Sequence, residues 1–178
     1  PNSLRSIGKE AFMGCRSLAE PITIPYGATS IGSYAFYGCN NIPSIEIPDS
    51  VTQIGSSAFA FCSKLEEVKL PSALTSIESW LFNGCSSLTS VEISDGVTSI
   101  GDYAFYHCGK LDNVKIPYGV TSVGKQAFTS CEELKNIELP DTLESIGTLA
   151  FYNCFNLSSI VIPDGVTVIE KDTFGGCN

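Results

Sequence analysis

A fixed period of 23 residues runs through the whole sequence and constrains the fold more than any other feature. One column of the repeat is phenylalanine, at Phe12, Phe36, Phe59, Phe82, Phe105, Phe128, Phe151 and Phe174. A second column is cysteine, at Cys15, Cys39, Cys62, Cys85, Cys108, Cys131, Cys154 and Cys177. Every step in these columns is 23 residues except the first, which is 24. A period of this length is the signature of a solenoid, in which each repeat forms one coil that stacks on its neighbours.

The repeat also sets the domain organisation. A solenoid has one continuous core, so we expect residues 1–178 to form a single domain. Pro1 stands in the same column as Pro48, because each lies three residues before an apolar residue (Leu4 and Val51) in the middle of a coil. We therefore expect the sequence to be a fragment of a longer array.

The charge of the chain narrows the classes of partner. Ten basic and 19 acidic residues give a net charge of −9. A surface that follows phosphates needs Lys and Arg, so we do not expect nucleic acid as a partner. An acidic protein is also a poor match for anionic lipids. No apolar run reaches the roughly 18 residues of a membrane span, so we expect no direct membrane insertion by this fragment.

Seven coils contain two apolar residues, mostly β-branched, separated by one residue. The pairs are Ile22/Ile24, Ile45/Ile47, Val68/Leu70, Val91/Ile93, Val114/Ile116, Ile137/Leu139 and Ile160/Ile162. Alternation with period two predicts a short strand. All strands run the same way round the coil, so we expect one seven-stranded parallel sheet. Proline follows six of the seven pairs and, having no N–H to donate, should end the strand.

The second half of each coil carries the patterns V-x-x-I-G and A-F-x-x-C. In one coil the first pattern is Val120, Val123 and Gly124. A spacing of three fits neither a flat strand nor a long helix, so we expect an extended or 3₁₀-like path on the convex side, with short turns or 3₁₀ segments. The glycine should free a backbone angle, although Glu78 and Glu170 replace it in two coils. The A-F-x-x-C segment should make one turn that places Phe and Cys inward.

One coil is irregular. The interval from Cys15 to Pro25 is 10 residues, whereas later coils have 9. The extra residue falls within residues 19–21, just before the first strand of the sheet. We predict a small bulge at this point.

The combined pattern, L-x-x-I-x-I-P-x-x-V-x-x-I-G-x-x-A-F-x-x-C, is similar to the leucine-rich repeats of the BspA-like type, and the similarity covers essentially all of residues 1–178. The resemblance implies a curved horseshoe with a parallel sheet on its concave face and turns on its convex side. It also implies roles in adhesion to host or neighbouring cells, and it brings no shared catalytic residues. The Asn column that ties coils together in other leucine-rich repeats has no counterpart here, so we expect the Pro turn and the Cys column to share that task.

Eight evenly spaced cysteines have two interpretations, a disulfide framework or a column of free thiols. We favour free thiols, because all eight lie in one column beside the Phe and Leu positions, where Cys packs as a small hydrophobe. Stacked parallel side chains also point the same way rather than at each other. Zinc sites need close C-x₂₋₄-C pairs, and none occurs, so we expect no metal and no other cofactor.

His107 is the only histidine, and it stands beside Cys108 in a column that is often glycine. A Cys–His nucleophile would need the two side chains to face each other in a cleft, whereas the variability of this column favours a surface histidine. The sequence also lacks a Gly-rich phosphate loop and a metal-ligand cluster. We therefore do not expect an enzyme.

The candidate binding face consists of the polar residues that should point outward from the strands. One column alternates in charge: Glu46, Lys69, Glu92, Lys115 and Glu138. Parallel strands about 4.8 Å apart would place these side chains next to each other. An ion ladder, at roughly 0.2–1 kcal/mol a pair, is the interpretation we favour, and a recognition surface is the alternative. The neighbouring column is small and polar, with Glu67, Asn113 and Asn136 as its candidate members, and it would suit sugars or peptide or be without function.

Aromatic residues occupy two further regions. Tyr26 and Tyr118 lie in the turn after the strand and form a candidate rim. A second group surrounds the Phe column: Tyr34, Tyr37, Trp80, Tyr103, Tyr106 and Tyr152. Exposed Tyr is enriched in interfaces, and packing between coils would explain the same residues equally well.

Together these features predict a non-catalytic binding module of a secreted or cell-surface protein, whose partner is an extracellular protein or glycan. Two alternatives remain. The array would serve as a spacer that presents another domain, or it would be the non-catalytic part of a larger enzyme.

Overall fold

The structure, a computed structural model, describes residues 3–177. Within these residues the backbone contains short strands and turns and no helix. Each coil has one strand on each of two sides and a series of tight turns on the third, so the chain forms a parallel β-solenoid.

The first sheet is built from the apolar pairs that end at proline. Its strands are β2 (Ile22–Thr23), β4 (Ser44–Glu46), β6 (Glu67–Lys69), β8 (Ser90–Glu92), β10 (Asn113–Lys115) and β12 (Asn136–Glu138). They pair in parallel in the order β12-β10-β8-β6-β4-β2. The expected seven strands are therefore six in the described chain, because the pair Ile160/Ile162 does not join β12.

The V-x-x-I-G segments form short strands, so their path is extended, as one of the two expected alternatives, and not 3₁₀. These strands are β1 (Ser6–Ile7), β3 (Ser30–Ile31), β5 (Gln53–Ile54), β7 (Ser76–Ile77), β9 (Ser99–Ile100), β11 (Ser122–Val123) and β13 (Ser145–Ile146). We call them the second ladder. Each strand is only two residues long, so it has one inward residue and cannot show the period-two alternation that identifies longer strands.

The glycine that follows each of these strands allows close approach of two coils rather than an unusual backbone angle. Gly101 and Gly124 do not have positive φ, but a Cβ on either would lie 2.6 Å from a backbone nitrogen of the preceding coil. The amide of Gly101 donates to Ile77 O at 2.7 Å, and that of Gly124 donates to Ile100 O at 2.8 Å. The expectation that this glycine frees a backbone angle was therefore wrong, because the glycine instead makes room for the backbone of the preceding coil.

Glu78 replaces that glycine, and the second ladder breaks at this coil. It divides into a three-stranded part, β1-β3-β5, and a four-stranded part, β13-β11-β9-β7. A cleft of about 440 Å³ opens at the break and is lined by Ile54, Gly55, Leu74 and Glu78. Glu170 occupies the same column in the last coil, and no strand follows β13 in the described residues. In both coils, therefore, a residue with a Cβ in the glycine column coincides with loss of strand pairing in the second ladder.

The A-F-x-x-C segments form three consecutive turns in each coil, a surface we call the turn face. In one coil the amides of Ala35, Tyr37 and Cys39 each donate to the carbonyl three residues earlier, at 3.0–3.2 Å. Between coils, Phe36 N donates to Ala58 O at 2.8 Å. The equivalent bond exists for every Phe of the column from Phe12 to Phe151.

Two residues of each turn series adopt the left-handed region. They lie two residues before and two residues after the column phenylalanine. The second position holds Gly14, Gly38, Phe61, Gly84, His107, Ser130, Asn153 and Gly176, with φ between 56° and 77°. Glycine reaches this region without strain, which explains why this column contains so much glycine.

The phenylalanine column forms the centre of the core, as predicted. Consecutive rings from Phe12 to Phe174 stack with centroids 5.1–5.7 Å apart and planes within 17° of parallel. The inner members of the column are fully buried: Phe36, Phe59, Phe82, Phe105, Phe128 and Phe151. Rows of Leu, Ile and Val from the first sheet and the second ladder surround the stack.

The cysteine column ties successive coils together. All eight cysteines are free, and those from Cys39 to Cys154 are buried. The thiol of Cys108 donates to Phe82 O at 3.1 Å, and the thiol of Cys131 donates to Phe105 O at 3.3 Å. Each such thiol therefore bonds to the phenylalanine carbonyl of the preceding coil, which is the bridging task expected for this column.

The irregular first coil has a local bend at Glu20. β2, which follows it, has two residues where β4 has three. The extra residue is therefore absorbed immediately before the first sheet, at the predicted place.

Candidate functional site

The outward side chains of the first sheet form one continuous surface, which we call the sheet face. Its predicted members are all exposed: Glu46, Glu67, Lys69, Glu92, Asn113, Lys115, Asn136 and Glu138. Parallel pairing places Glu46 opposite Lys69 and Lys69 opposite Glu92. It also places Lys115 opposite Glu138. The predicted alternation of charge across neighbouring strands is therefore present in the register.

The charged residues of the sheet face do not form the expected ion ladder. Within residues 3–177, the only oppositely charged side chains closer than 4.0 Å are Lys9 and Glu10, at 3.3 Å. Glu46 accepts one long hydrogen bond, from Thr23 Oγ1 at 3.5 Å. Lys69 and Lys115 are thus exposed and make no ion pair within 4.0 Å on the sheet face, although the charge of Lys69 helps to lower the pKa of the Asp49 carboxyl.

The second column of the sheet face supplies neutral polar groups. Asn113 lies opposite Ser90 on one side and Asn136 on the other. A shallow depression of about 280 Å³ lies over Asn113, Lys115, Asn136 and Glu138. Amide and charged groups therefore converge at this end of the sheet face.

The rim of the sheet face carries two exposed aromatic rings. Tyr26 is 79% exposed and Tyr118 is 74% exposed, so neither side chain is used in packing. In the same turn of another coil, Asp49 accepts hydrogen bonds from the backbone N–H and the hydroxyl of Ser72, at 2.9 and 3.0 Å. These bonds hold the pKa of the Asp49 carboxyl below its ordinary value. Asp49 thus joins its coil to the next one.

Aromatic residues on the turn face form a second exposed surface. The rings of Trp80 and Tyr103 stack at 3.9 Å, and Tyr106 meets His107 edge to face at 4.3 Å. Lys125 belongs to the coil after Tyr103, and its Nζ lies 5.8 Å from the centroid of the Tyr103 ring. Packing between coils therefore accounts for part of this aromatic group, as one of the two interpretations expected.

Phe61 belongs to this surface and was missed by the sequence reasoning. It occupies the column that is glycine in four other coils, has φ of 60°, and is 44% exposed. Its ring lies over Gly84, where an added Cβ would be 2.8 Å from Phe61 Cδ1. A large aromatic residue in a glycine column was the signal that could have identified it.

The buried thiols of the cysteine column are poor nucleophiles. Burial raises the pKa of the Cys154 thiol to about 12, and it raises the pKa of Cys85, Cys108 and Cys131 well above the ordinary value. His107 is exposed whereas the thiol of Cys108 is buried and bonded to Phe82 O, so the two do not form a catalytic pair.

The described residues contain neither a metal-ligand cluster nor a membrane-spanning helix. Among residues 3–177 there is no group of three or more His, Cys, Asp or Glu placed to hold a metal ion. The same residues include no helix of the length and apolarity needed to cross a membrane.

The parallel strands, the 23-residue coil and the tight turn series define a leucine-rich-repeat type of solenoid. A family model for the BspA type leucine rich repeat region, with six copies, matches residues 1–108 and 64–178. The chain belongs to this family. No curated protein matches it.

Solved structures of bacterial leucine-rich repeat proteins resemble the chain closely. A protein from Bacteroides ovatus is 37% identical with a TM-score of 0.84, over 93% of this chain and 42% of that one. A T. pallidum leucine rich repeat protein is 33% identical with a TM-score of 0.82, over 86% of this chain and 71% of that one. A leucine rich cell surface protein from Faecalibacterium prausnitzii is 25% identical with a TM-score of 0.59, over 97% of this chain and 68% of that one. The chain thus spans less than half the length of the B. ovatus protein.

Proposed function

We propose that the chain is a non-catalytic binding module of a cell-surface or secreted protein, and that it recognises an extracellular protein or glycan through its sheet face. The observation that carries this proposal is the row of exposed, alternating charges from Glu46 to Glu138 that form no ion pairs with each other. These charges give up hydration when a ligand pairs with them, but they give up no ion pair with each other, and complementary charges give specificity and fast association.

The rigidity of the sheet supports the same proposal. Each strand of the sheet face is hydrogen-bonded to its neighbours, and its inward residues Val91 and Val114 are buried in the core. The strand backbones are therefore held at fixed spacing, so a partner meets a preformed surface on which only the exposed side chains lose conformational freedom. The cell-surface location rests on the family and on the cell-surface description of the F. prausnitzii protein.

A binding screen with charge-matched variants tests the proposal. The chain is presented to immobilised extracellular-matrix proteins and glycans, and any ligand found is measured again with the double variant Lys69→Ala/Lys115→Ala. The control is Lys64→Ala/Lys110→Ala, which removes the same charge from exposed sites outside the sheet face. We expect the first variant to bind about tenfold or more weakly and the control to bind normally. Equal binding by all three proteins would remove the sheet face as the site.

A spacer function is the second candidate, because the uninterrupted stack of phenylalanines makes the array a continuous rod of coils. For a spacer, deletion of whole 23-residue coils would change the reach of an attached domain, whereas the sheet-face variant would leave cell attachment unchanged.

A further inference from the structure

A groove of about 490 Å³ lies on the turn face, on a different side of the coil from the sheet face. Its walls include Phe61, Trp80, Tyr106 and His107. Apolar groups form most of its lining, and a few polar groups lie among them. This composition, largely aromatic with a small number of fixed polar groups, is typical of sites that bind small molecules or short oligomers.

Two buried polar side chains in the groove have no partner inside the protein. Asn83 and Ser130 are each only 6% exposed, and both line the groove. Neither the Asn83 amide nor the Ser130 hydroxyl makes a hydrogen bond within residues 3–177. Their polar atoms keep contact with solvent, since they are absent from the fully enclosed, unsatisfied atoms of the described chain. In the free groove these two groups hydrogen-bond to water, and a ligand hydroxyl that enters the groove can replace that water.

The aromatic walls are held in place by neighbouring rings. Tyr103 covers one face of Trp80 at 3.9 Å, and Tyr106 braces His107 at 4.3 Å. Trp80 and Phe61 still expose 38% and 44% of their surface. Rings that are fixed on one side and exposed on another can stack against a flat apolar ligand surface with little loss of freedom.

The charge of the groove restricts the ligand. Glu132 is the only acidic residue in the lining, and neither Lys nor Arg is present there. The whole chain carries a net charge of −9. An anionic ligand would therefore meet repulsion without a compensating cation, so the groove disfavours anions.

We propose that this groove binds a neutral saccharide, with one face of a hexose ring stacked on the aromatic walls. A pyranose has an apolar face of C–H groups and an edge of hydroxyls, which matches apolar walls beside amide, hydroxyl and carboxylate groups. Each hydroxyl both donates and accepts, so it can donate to Glu132 and can satisfy both the N–H and the C=O of Asn83. A proline-rich peptide, the other usual ligand of aromatic grooves, offers mainly carbonyl acceptors and would leave Glu132 and the Asn83 oxygen unmatched.

Trp80 is the only tryptophan of the chain, so its fluorescence reports on this groove alone. The test titrates the protein with three neutral oligosaccharides: cellotetraose, laminaritetraose and mannotetraose. We expect at least one of them to shift or quench the Trp80 emission saturably, with half-saturation in the micromolar to low millimolar range. No saturable change with any of the three up to roughly 10 mM, or a response to a proline-rich peptide in place of the saccharides, would overturn the assignment.

Two variants remove groove walls at positions where other coils already have glycine. Phe61 and His107 have positive φ, and other coils have glycine in the same column. The variants Phe61→Gly and His107→Gly therefore each remove a ring and also relieve backbone strain. We expect each variant to weaken saccharide binding about tenfold. Asn153→Gly, in the same column outside the groove, is the matched control and should bind normally.

The groove and the sheet face are tested separately. Lys69→Ala/Lys115→Ala leaves all groove residues intact, so saccharide binding should be unchanged in that variant. If Phe61→Gly binds saccharide as well as the wild-type protein does, the groove is not the site.

Discussion

The turn face and the second ladder are two columns of hydrogen bonds between the same coils, but only one of them is continuous. On the turn face, Phe59 N donates to Leu81 O at 3.1 Å across the coil junction that contains Glu78. At the same junction, the second ladder has no hydrogen bond between β5 and β7. Where Gly101 replaces the glutamate one coil later, the ladder is restored through Gly101 N and Ile77 O.

The difference shows that the two columns depend on opposite features of the sequence. Continuity of the turn face depends on buried side chains, since the Phe rings stack and the Cys thiols bond to the preceding coil. Continuity of the second ladder depends on the absence of a side chain, because the coils approach to within a Cβ's distance at each glycine. Changes that act on burial should therefore affect the turn face, and changes that add or remove a Cβ should affect the second ladder.

Alkaline pH should weaken the turn face most of all. Five thiols are almost fully buried, and burial raises the pKa of each above the ordinary value of 9.0: Cys62, Cys85, Cys108, Cys131 and Cys154. Above pH 9 the unfolded chain releases these protons while the folded chain keeps them, so the free energy of unfolding falls as the pH rises. Between pH 9 and 10 we expect a loss of about 1 kcal/mol per thiol, or roughly 5 kcal/mol together.

Urea denaturation under reducing conditions, at several pH values from 7 to 10, measures this effect. Cys108→Ala removes one of the five thiols and should make the decline shallower by one part in five. An unfolding midpoint that stays constant through pH 10 would contradict the burial of the thiols.

Loss of one phenylalanine ring should be the next largest effect. Phe105 stacks on Phe82 at 5.5 Å and on Phe128 at 5.1 Å, and none of its surface is exposed. Phe105→Ala opens a cavity inside the stack and should lower the free energy of unfolding by about 3–5 kcal/mol. Lys115→Ala, an exposed change in the next strand of the same array, should stay within about 0.5 kcal/mol. Chemical denaturation that gives the two variants the same midpoint would place the Phe column outside the core.

The features predictable from the sequence are those that follow from the 23-residue repetition alone. The 23-residue spacing of Phe105 and Cys108 is enough to place both in the core, because repetition at a fixed period requires like residues to stack. The register of Lys69 between Glu46 and Glu92 follows from the same argument. The charges of that register, however, do not close into ion pairs, since side-chain geometry is not set by spacing.

The features that were missed depend on how one coil meets the next. Ser99–Ile100 is a strand only because a neighbouring coil pairs with it, and two residues are too few to show a period. The role of Gly101 becomes clear only when the backbone of Ser79 is seen beside it. For the candidate site, the exposed polar column was predictable, whereas the groove beside Phe61 needs side chains from four successive coils.

Adding a side chain at a closed junction should open the second ladder. Gly101→Glu places a Cβ about 2.6 Å from Ser79 N, so the coils must separate and the bond from Gly101 N to Ile77 O is lost. We expect a loss of about 2–3 kcal/mol, measured by urea denaturation, with faster amide exchange at Thr98 and at residue 101. Gly109→Glu adds the same charge where no atom lies within 4 Å of the new Cβ, and it should change stability little. Equal losses in the two variants would show that charge, rather than close approach, is the cause.

Removing the side chain at the open junction should have the smallest effect and the opposite sign. Glu78→Gly allows β5 and β7 to approach, so that residue 78 and Thr75 can donate to the preceding coil as Gly101 and Thr98 do. Each new bond contributes about 0.5–1.5 kcal/mol. Two costs offset part of this gain. Glycine makes the unfolded chain more flexible, and the variant loses the hydrogen bond from Ser76 Oγ to Glu78 at 2.7 Å.

The net stabilisation expected for Glu78→Gly is therefore about 0.5–1 kcal/mol, with slower amide exchange at Thr75 and at residue 78 as the direct sign of a closed ladder. The same coil carries Leu81 where other coils have Ala, so Leu81→Ala is the necessary control. The turn-face bond from Phe59 N to Leu81 O is kept, but at 3.1 Å it is the longest of its column, where the other Phe amides lie 2.7–2.8 Å from their acceptors. If Leu81→Ala slows exchange at Thr75 while Glu78→Gly does not, the bulk of Leu81 and not the Cβ of Glu78 divides the second ladder.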